Sequence, residues 1–314
     1  RRGRAVLSMS FRRPMISGMQ RLSTLIACFV LMFSAAHAWA GEVVRMRVDD
    51  TIQPASQRYI ERVLEGAGAA GADLVVMELD TPGGLLDTTR DITSAIIESP
   101  VPIVVYVSPS GARAASAGFF ILMAADVAAM APGTNTGAAH PVGGQGENLP
   151  DDVRDKATND AAAMVRSLAE QRGRNPETAE RAVRETISLT ADAGLGEGLI
   201  DLIAPNLEDL LDQLDGREVV RASGDAVVLD LEDRSVVMVE PSFAEQLFSV
   251  LANPNIAYLL MALGALGLYV EITHPGGILP GVVGVIFLLL GLYSVSVLPV
   301  SWAGVALIFV ALML

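Results

Sequence analysis

The chain has 314 residues, 51% of them hydrophobic and 18% charged, with 36 acidic residues against 22 basic ones and one cysteine. That apolar content excludes a disordered chain, and a formal charge of −14 argues against nucleic acid as a partner. A lone cysteine excludes an internal disulfide framework and any cysteine-rich metal site.

The first 40 residues carry six arginines, no acid and an apolar run over 22–36, ending in Ala38-Trp39-Ala40. A basic stretch, an apolar core and a small-x-small site read as a secretory signal cut after Ala40, with an uncleaved anchor as the alternative. The sequence does not begin with Met, so either residues precede Arg1 or the start is Met9, Met15 or Met19. Without the signal, 16 basic residues face 36 acidic ones and the cysteine is gone, which suits an exported protein.

From residue 43 onward, β-rich runs alternate with helical patterns. Val43–Val48, Leu74–Leu79, Ile103–Val107 and Val127–Met130 read as strands. Segments 55–67, 86–97, 114–125, 150–173 and 176–185 read as helices. The alternation implies an α/β fold of right-handed βαβ units with a mainly parallel sheet, binding its ligand at the carboxyl ends of the strands.

Residues 217–240 turn β-rich again and are expected to form a small appended sheet. An amphipathic segment over 241–251, with Phe243, Leu247, Phe248 and Leu251 apolar, reads as a juxtamembrane connector closing at 254. Segments 255–270, 276–298 and 302–314 read as transmembrane helices, because those last 60 residues contain Glu271 as their only formal charge. The sequence is expected to continue past Leu314, and the signal places residues 41–254 outside the cytoplasm.

Three features could carry chemistry. Ser116 stands among small residues (Ala114-Ala115-Ser116-Ala117-Gly118) that open an apolar helix, where free backbone N–H groups stabilise developing negative charge. An ordinary N-cap serine has the same pattern. Asp80-Thr81-Pro82-Gly83-Gly84 follows a strand, and paired glycines can present bare N–H groups as an oxyanion hole needs, although such turns are often only turns.

Lys156 is the sole lysine beside 21 arginines. Arginine keeps its proton in a protein, whereas burial can bring a lysine toward neutrality, so a base made from a cation has to be lysine. Its neighbours Asp151, Asp152, Asp155 and Asp160 would hold the ammonium charged if they lay close in space. His140 is the only histidine between 41 and 254 and competes for the same role. With so few histidines no His-based metal site is expected, and no cofactor motif is present.

The combination of Leu79-Asp80-Thr81-Pro82-Gly83-Gly84, Ala115-Ser116-Ala117-Gly118, Met130-Ala131-Pro132-Gly133-Thr134, Gly137-Ala138-Ala139-His140-Pro141 and Lys156 resembles the NfeD family. These are membrane-bound serine proteases of the ClpP class, related to signal peptide peptidase A. Leu189-Thr190, Gly198-Leu199-Ile200-Asp201, and the tail motifs from Asn253 to Tyr258 and from His274 to Gly281 agree with it. The resemblance implies a ClpP/crotonase-like ββα spiral over residues 41–240, followed by a transmembrane helical region. It implies a Ser–Lys dyad with Ser116 as nucleophile and Lys156 as base, Gly84 and Ala117 as oxyanion-hole donors, and His140 as an alternative base. It further implies a peptide substrate, a stomatin-like membrane protein as partner, assembly as a homodimer or higher homo-oligomer, and a multi-pass inner-membrane protein with its protease domain in the periplasm. The alternative functions are a non-catalytic membrane scaffold for stomatin-like partners, and crotonase-type chemistry on acyl-CoA, which export disfavours.

Overall fold

A computed structural model describes residues 41–143, 150–232, 235–274 and 278–297. The expected signal over 1–40 and the expected third span over 302–314 lie outside the described residues.

In chain order the elements are β1 (Val43–Val48), α1 (Pro54–Ala70), β2 (Leu74–Leu79), α2 (Leu86–Glu98), β3 (Ile103–Val107), β4 (Arg113–Ala115), α3 (Ala117–Ala124), β5 (Val127–Met130) and β6 (Asn135–Gly137). Then follow α4 (Asp151–Gln171), α5 (Pro176–Arg184), β7 (Ser188–Thr190), α6 (Ala191–Gly196), β8 (Leu202–Ile203), α7 (Leu207–Leu214), β9 (Glu218–Val220), β10 (Ala226–Val228) and β11 (Val236–Met238). The described residues close with α8 (Phe243–Leu251), α9 (Pro254–Thr273) and α10 (Leu279–Val297).

Six strands form one sheet in the order β11-β1-β2-β3-β5-β8, and every pairing in it is parallel. β2 and β3 are buried along their whole length, as strands covered on both faces must be. The one charge in β2, Glu78, is held by two hydrogen bonds of 2.8 Å from Arg45 on the neighbouring strand. A smaller sheet, β4-β6-β7, stands beyond the carboxyl end of the main one, tied to it where Thr81 bridges to Ala114.

Two expectations need correction. Residues 113–115 are not the start of a helix: Arg113 and Ala115 exchange backbone hydrogen bonds with Thr81, and the segment pairs with β6. Nothing in a run of alanines announces that long-range pairing. The segment over 217–240 also divides. β9 and β10 form a separate hairpin, whereas β11 joins the main sheet beside β1.

After β11 the chain returns to the body through α8. Arg62 on α1 makes a two-point ion pair with Glu245 on α8 at 2.7 and 2.8 Å, and this bond holds the Glu245 carboxyl below the ordinary carboxylate range. The Arg58 guanidinium lies 5.0 Å from the centre of the Phe248 ring. α9 and α10 then pack together through glycines. A Cβ on Gly264 would fall 2.8 Å from the Leu288 nitrogen, so small residues permit the close backbone approach that helix pairs use in lipid.

Candidate active site

Ser116 occupies the single residue between β4 and α3, with φ 51° and ψ −114°. Its N–H donates to the Gly137 carbonyl at 2.9 Å, and its carbonyl accepts from the Phe119 N–H at 3.0 Å. No side chain of α3 is more than 4% exposed. A helix that is apolar all round must be buried all round, so the serine is mounted on a rigid part of the core. The tight turn leaves the hydroxyl half-exposed at the end of that buried helix.

The glycine pair is fitted against it. Gly83 has φ 122°, and a Cβ there would come within 2.7 Å of the Ser116 Cβ. Its N–H donates to the buried Thr81 hydroxyl at 3.1 Å. Gly84 forms a parallel bridge to Ile52, made by the Ile52 N–H to the Gly83 carbonyl (2.8 Å) and the Leu85 N–H to the Ile52 carbonyl (2.9 Å). In such a bridge the flanking residues make both bonds, which turns the Gly84 N–H to the opposite edge. Ala117 is the first residue of α3, where a backbone donor has no partner inside the helix. Among the described residues neither the Gly84 nor the Ala117 N–H has an acceptor in the chain.

Gly84, Ser116 and Ala117 line a cleft of about 890 Å³. Residues 50–54 reach it from the end of β1, and Pro82 with 84–86 from the end of β2. Ser116, Ala117 and Phe120 come from α3 and its cap, residues 138–143 from beyond β6, and Ala157 and Ala161 from α4. This is the carboxyl end of the sheet, where open parallel sheets bind ligands. Of the described lining residues Asp50 alone carries a formal charge.

Three of the four non-glycine residues with positive φ among the described residues, Ser116, Ala138 (47°) and Thr186 (55°), line this cleft. Such conformations cost about 1–3 kcal/mol each and gather where function demands a fixed geometry. Thr186 was invisible from sequence, since nothing in a threonine signals a left-handed backbone.

His140 is half-buried, lines the cleft and places Nδ1 3.3 Å from the Val183 carbonyl. Lys156 is placed differently. It is exposed on the first turns of α4, next to the lining residue Ala157 but outside the lining itself. Three of the four acids near it in sequence are committed elsewhere: Asp151 and Asp155 to Arg154 at 2.9 and 3.7 Å, and Asp160 to Arg90. Among the described residues no ion pair involves Lys156, and no cluster of His, Cys, Asp or Glu is arranged to hold a metal.

Fold and site together define an α/β protein with a parallel sheet and a cleft at the carboxyl ends of its strands, joined to a pair of apolar helices. Residues 42–210 match the model of the NfeD1b N-terminal domain, and residues 255–314 that of the NfeD integral membrane domain. The chain belongs to the NfeD family. It is 34% identical over 292 residues to a membrane-bound protease of Pyrococcus horikoshii, covering 92% of this chain and 66% of that one. Identity to the membrane protein NfeD1b of Bacillus subtilis is 31% over 277 residues, covering 84% of this chain and 58% of the relative. The chain thus spans less than two thirds of each relative's length. Among solved structures, a membrane-bound stomatin-specific protease, a lysine-to-alanine mutant in complex with a substrate peptide, superposes with a TM-score of 0.62 at 32% identity, over 67% of this chain and 97% of that one. Within the matched membrane domain, 255–273 is long and apolar enough to cross a bilayer.

Proposed function

We propose that this chain is a membrane-bound serine endopeptidase that cleaves an apolar segment of a stomatin-like membrane protein through a Ser116–Lys156 dyad. The observation that carries the reading is the strained Ser116 in one cleft with two N–H donors, Gly84 and Ala117, that have no acceptor among the described residues. An uncharged Lys156 amine takes the Ser116 hydroxyl proton as Oγ bonds to the peptide carbonyl carbon. The two N–H groups hold the resulting oxyanion. The C–N bond then breaks as the lysine returns its proton to the leaving amine, and water hydrolyses the acyl-enzyme by the reverse sequence.

Lys156 must enter the cleft for this step, and its four-carbon stem starts beside a lining residue. The scarcity of charge in the lining favours an apolar peptide, because burying a charge without a partner is costly. The relative whose structure holds a substrate peptide is a stomatin-specific protease, and the lysine replaced in it is the residue type this mechanism requires. Periplasmic placement of the cleft and more than one membrane crossing belong to the same proposal, on the strength of the basic, apolar N-terminal segment and the apolar α9 and α10.

The test is cleavage of a stomatin-like peptide by the full chain, together with fluorophosphonate labelling. Labelling of Ser116, with cleavage lost in Lys156→Ala and kept in His140→Ala, supports the dyad. The reverse pattern makes His140 the base. No label and no cleavage, with binding of a stomatin-like protein retained, makes the chain a scaffold.

A further inference from the structure

One wall of the cleft comes from an unexpected place. Ser249, Ala252 and Asn253, at i, i+3 and i+4, present one side of α8 and its C-terminal turn to the cavity that holds Ser116. That wall is fastened rather than merely adjacent. The Ser249 hydroxyl donates to Asp50 at 2.8 Å and accepts from the Gln53 amide at 3.3 Å, and both partners line the cleft themselves. One turn earlier Glu245 is clasped by Arg62, and on the far side Phe248 packs on Tyr293 of α10 with ring centres 6.1 Å apart. α8 is therefore wedged between the catalytic body and the apolar helices.

The apolar stretch of α9 begins at Asn255, two residues past the last wall residue. If α9 crosses the bilayer, the wall of the cleft ends where the membrane begins.

We infer that the cleft is built for peptide bonds lying next to a membrane span, with Ser249 and Ala252 as specificity-determining residues that set the height of the scissile bond above the bilayer. The inference rests on the protease reading and narrows its substrate class. A substrate anchored in the same membrane reaches such a site on a short tether. An extended chain advances about 3.3–3.6 Å per residue, so about five residues between span and scissile bond suffice. A cleft carried well away from the bilayer would need about fifteen.

The experiment uses the full chain in phosphatidylethanolamine–phosphatidylglycerol vesicles. A cleavable segment is joined to a single membrane-spanning helix through polar spacers of graded length, with the same segment as a free peptide beside it. Efficient cut at the shortest spacers supports the inference. Cleavage of the free peptide and of long-spacer substrates alone overturns it while leaving the protease reading intact. Failure to cut even the free peptide, with Ser116 unlabelled, overturns both. Independently, Ser249→Tyr fills the wall and is expected to raise KM for the short-spacer substrate about tenfold, whereas Leu247→Tyr, exposed on the same helix and outside the cleft, changes it less than twofold. Equal kinetics for the two variants would count against the assignment.

Discussion

Ser116 and Lys156 stand in two regions built on opposite principles. The serine caps a helix whose every face is buried, its N–H and carbonyl are both bonded, and Gly83 lies so close that a Cβ there would meet its own. The lysine rides an exposed helical turn, in no ion pair among the described residues, while arginines hold Asp151, Asp155 and Asp160 near it in sequence. The proposed nucleophile and oxyanion donors are set by the buried core, whereas the proposed base stands exposed on the surface. In the proposed mechanism substrate completes the site, as catalytic hydrogen bonds often tighten only in the bound complex.

The sharpest way to break this contrast is Ser116→Ala, expected to lower kcat by about 10⁴-fold or more. Ser116→Gly should be equally inactive yet stabilised by about 1 kcal/mol in thermal unfolding, because glycine relieves the positive φ. If that variant is less stable, the strain assignment is wrong. Lys156→Arg tests the other side. It keeps the charge and cannot give up its proton, so cleavage should fall about 10²–10⁴-fold, while a solvent-exposed position holds the stability change within about 0.5 kcal/mol. Wild-type rates in this variant would remove the lysine from the chemistry.

Next comes Gly84→Ala. An added Cβ would lie 1.9 Å from the Ile52 carbonyl oxygen, so the loop must shift and carry the oxyanion donor with it. The expected loss is about 10²–10³-fold in kcat with KM nearly unchanged. The smallest effect concerns the wall formed by α8. Arg62 lowers the Glu245 carboxyl in the folded chain. That contribution to stability is therefore complete above the unfolded carboxylate value of about 4.3 and disappears as pH falls through the depressed folded value. Hydrogen exchange across α8 should accelerate in that acid window, and Glu245→Gln should abolish the step. Unchanged exchange at low pH in the wild type would show that the clasp does not hold the helix.

Much of the architecture was readable in advance because burial leaves a mark on composition. Continuous runs such as Leu74–Leu79 and Ile103–Val107 read as buried strands, and the apolar helix read over 255–270 runs on to Thr273 in the structure. What escaped was everything decided by partners far along the chain. Residues 113–115 became a strand through Thr81 and β6, and β11 left its neighbours for the edge of the main sheet. The left-handed backbone at Ala138 and Thr186 left no trace in residue type.

By itself, then, the sequence determined the layered α/β body and the apolar tail, which are written in local hydrophobicity, while Ser116 and its glycine loop became candidates through the motifs that resemble the NfeD family. Only the tertiary structure decided that the Gly84 and Ala117 donors find no acceptor among the described residues, that Lys156 stands outside the cleft lining, and that the helix before the apolar tail forms one of the cleft walls. Those are relations between segments as much as 199 residues apart, as in the bond from Ser249 to Asp50, and packing sets them where no local pattern can.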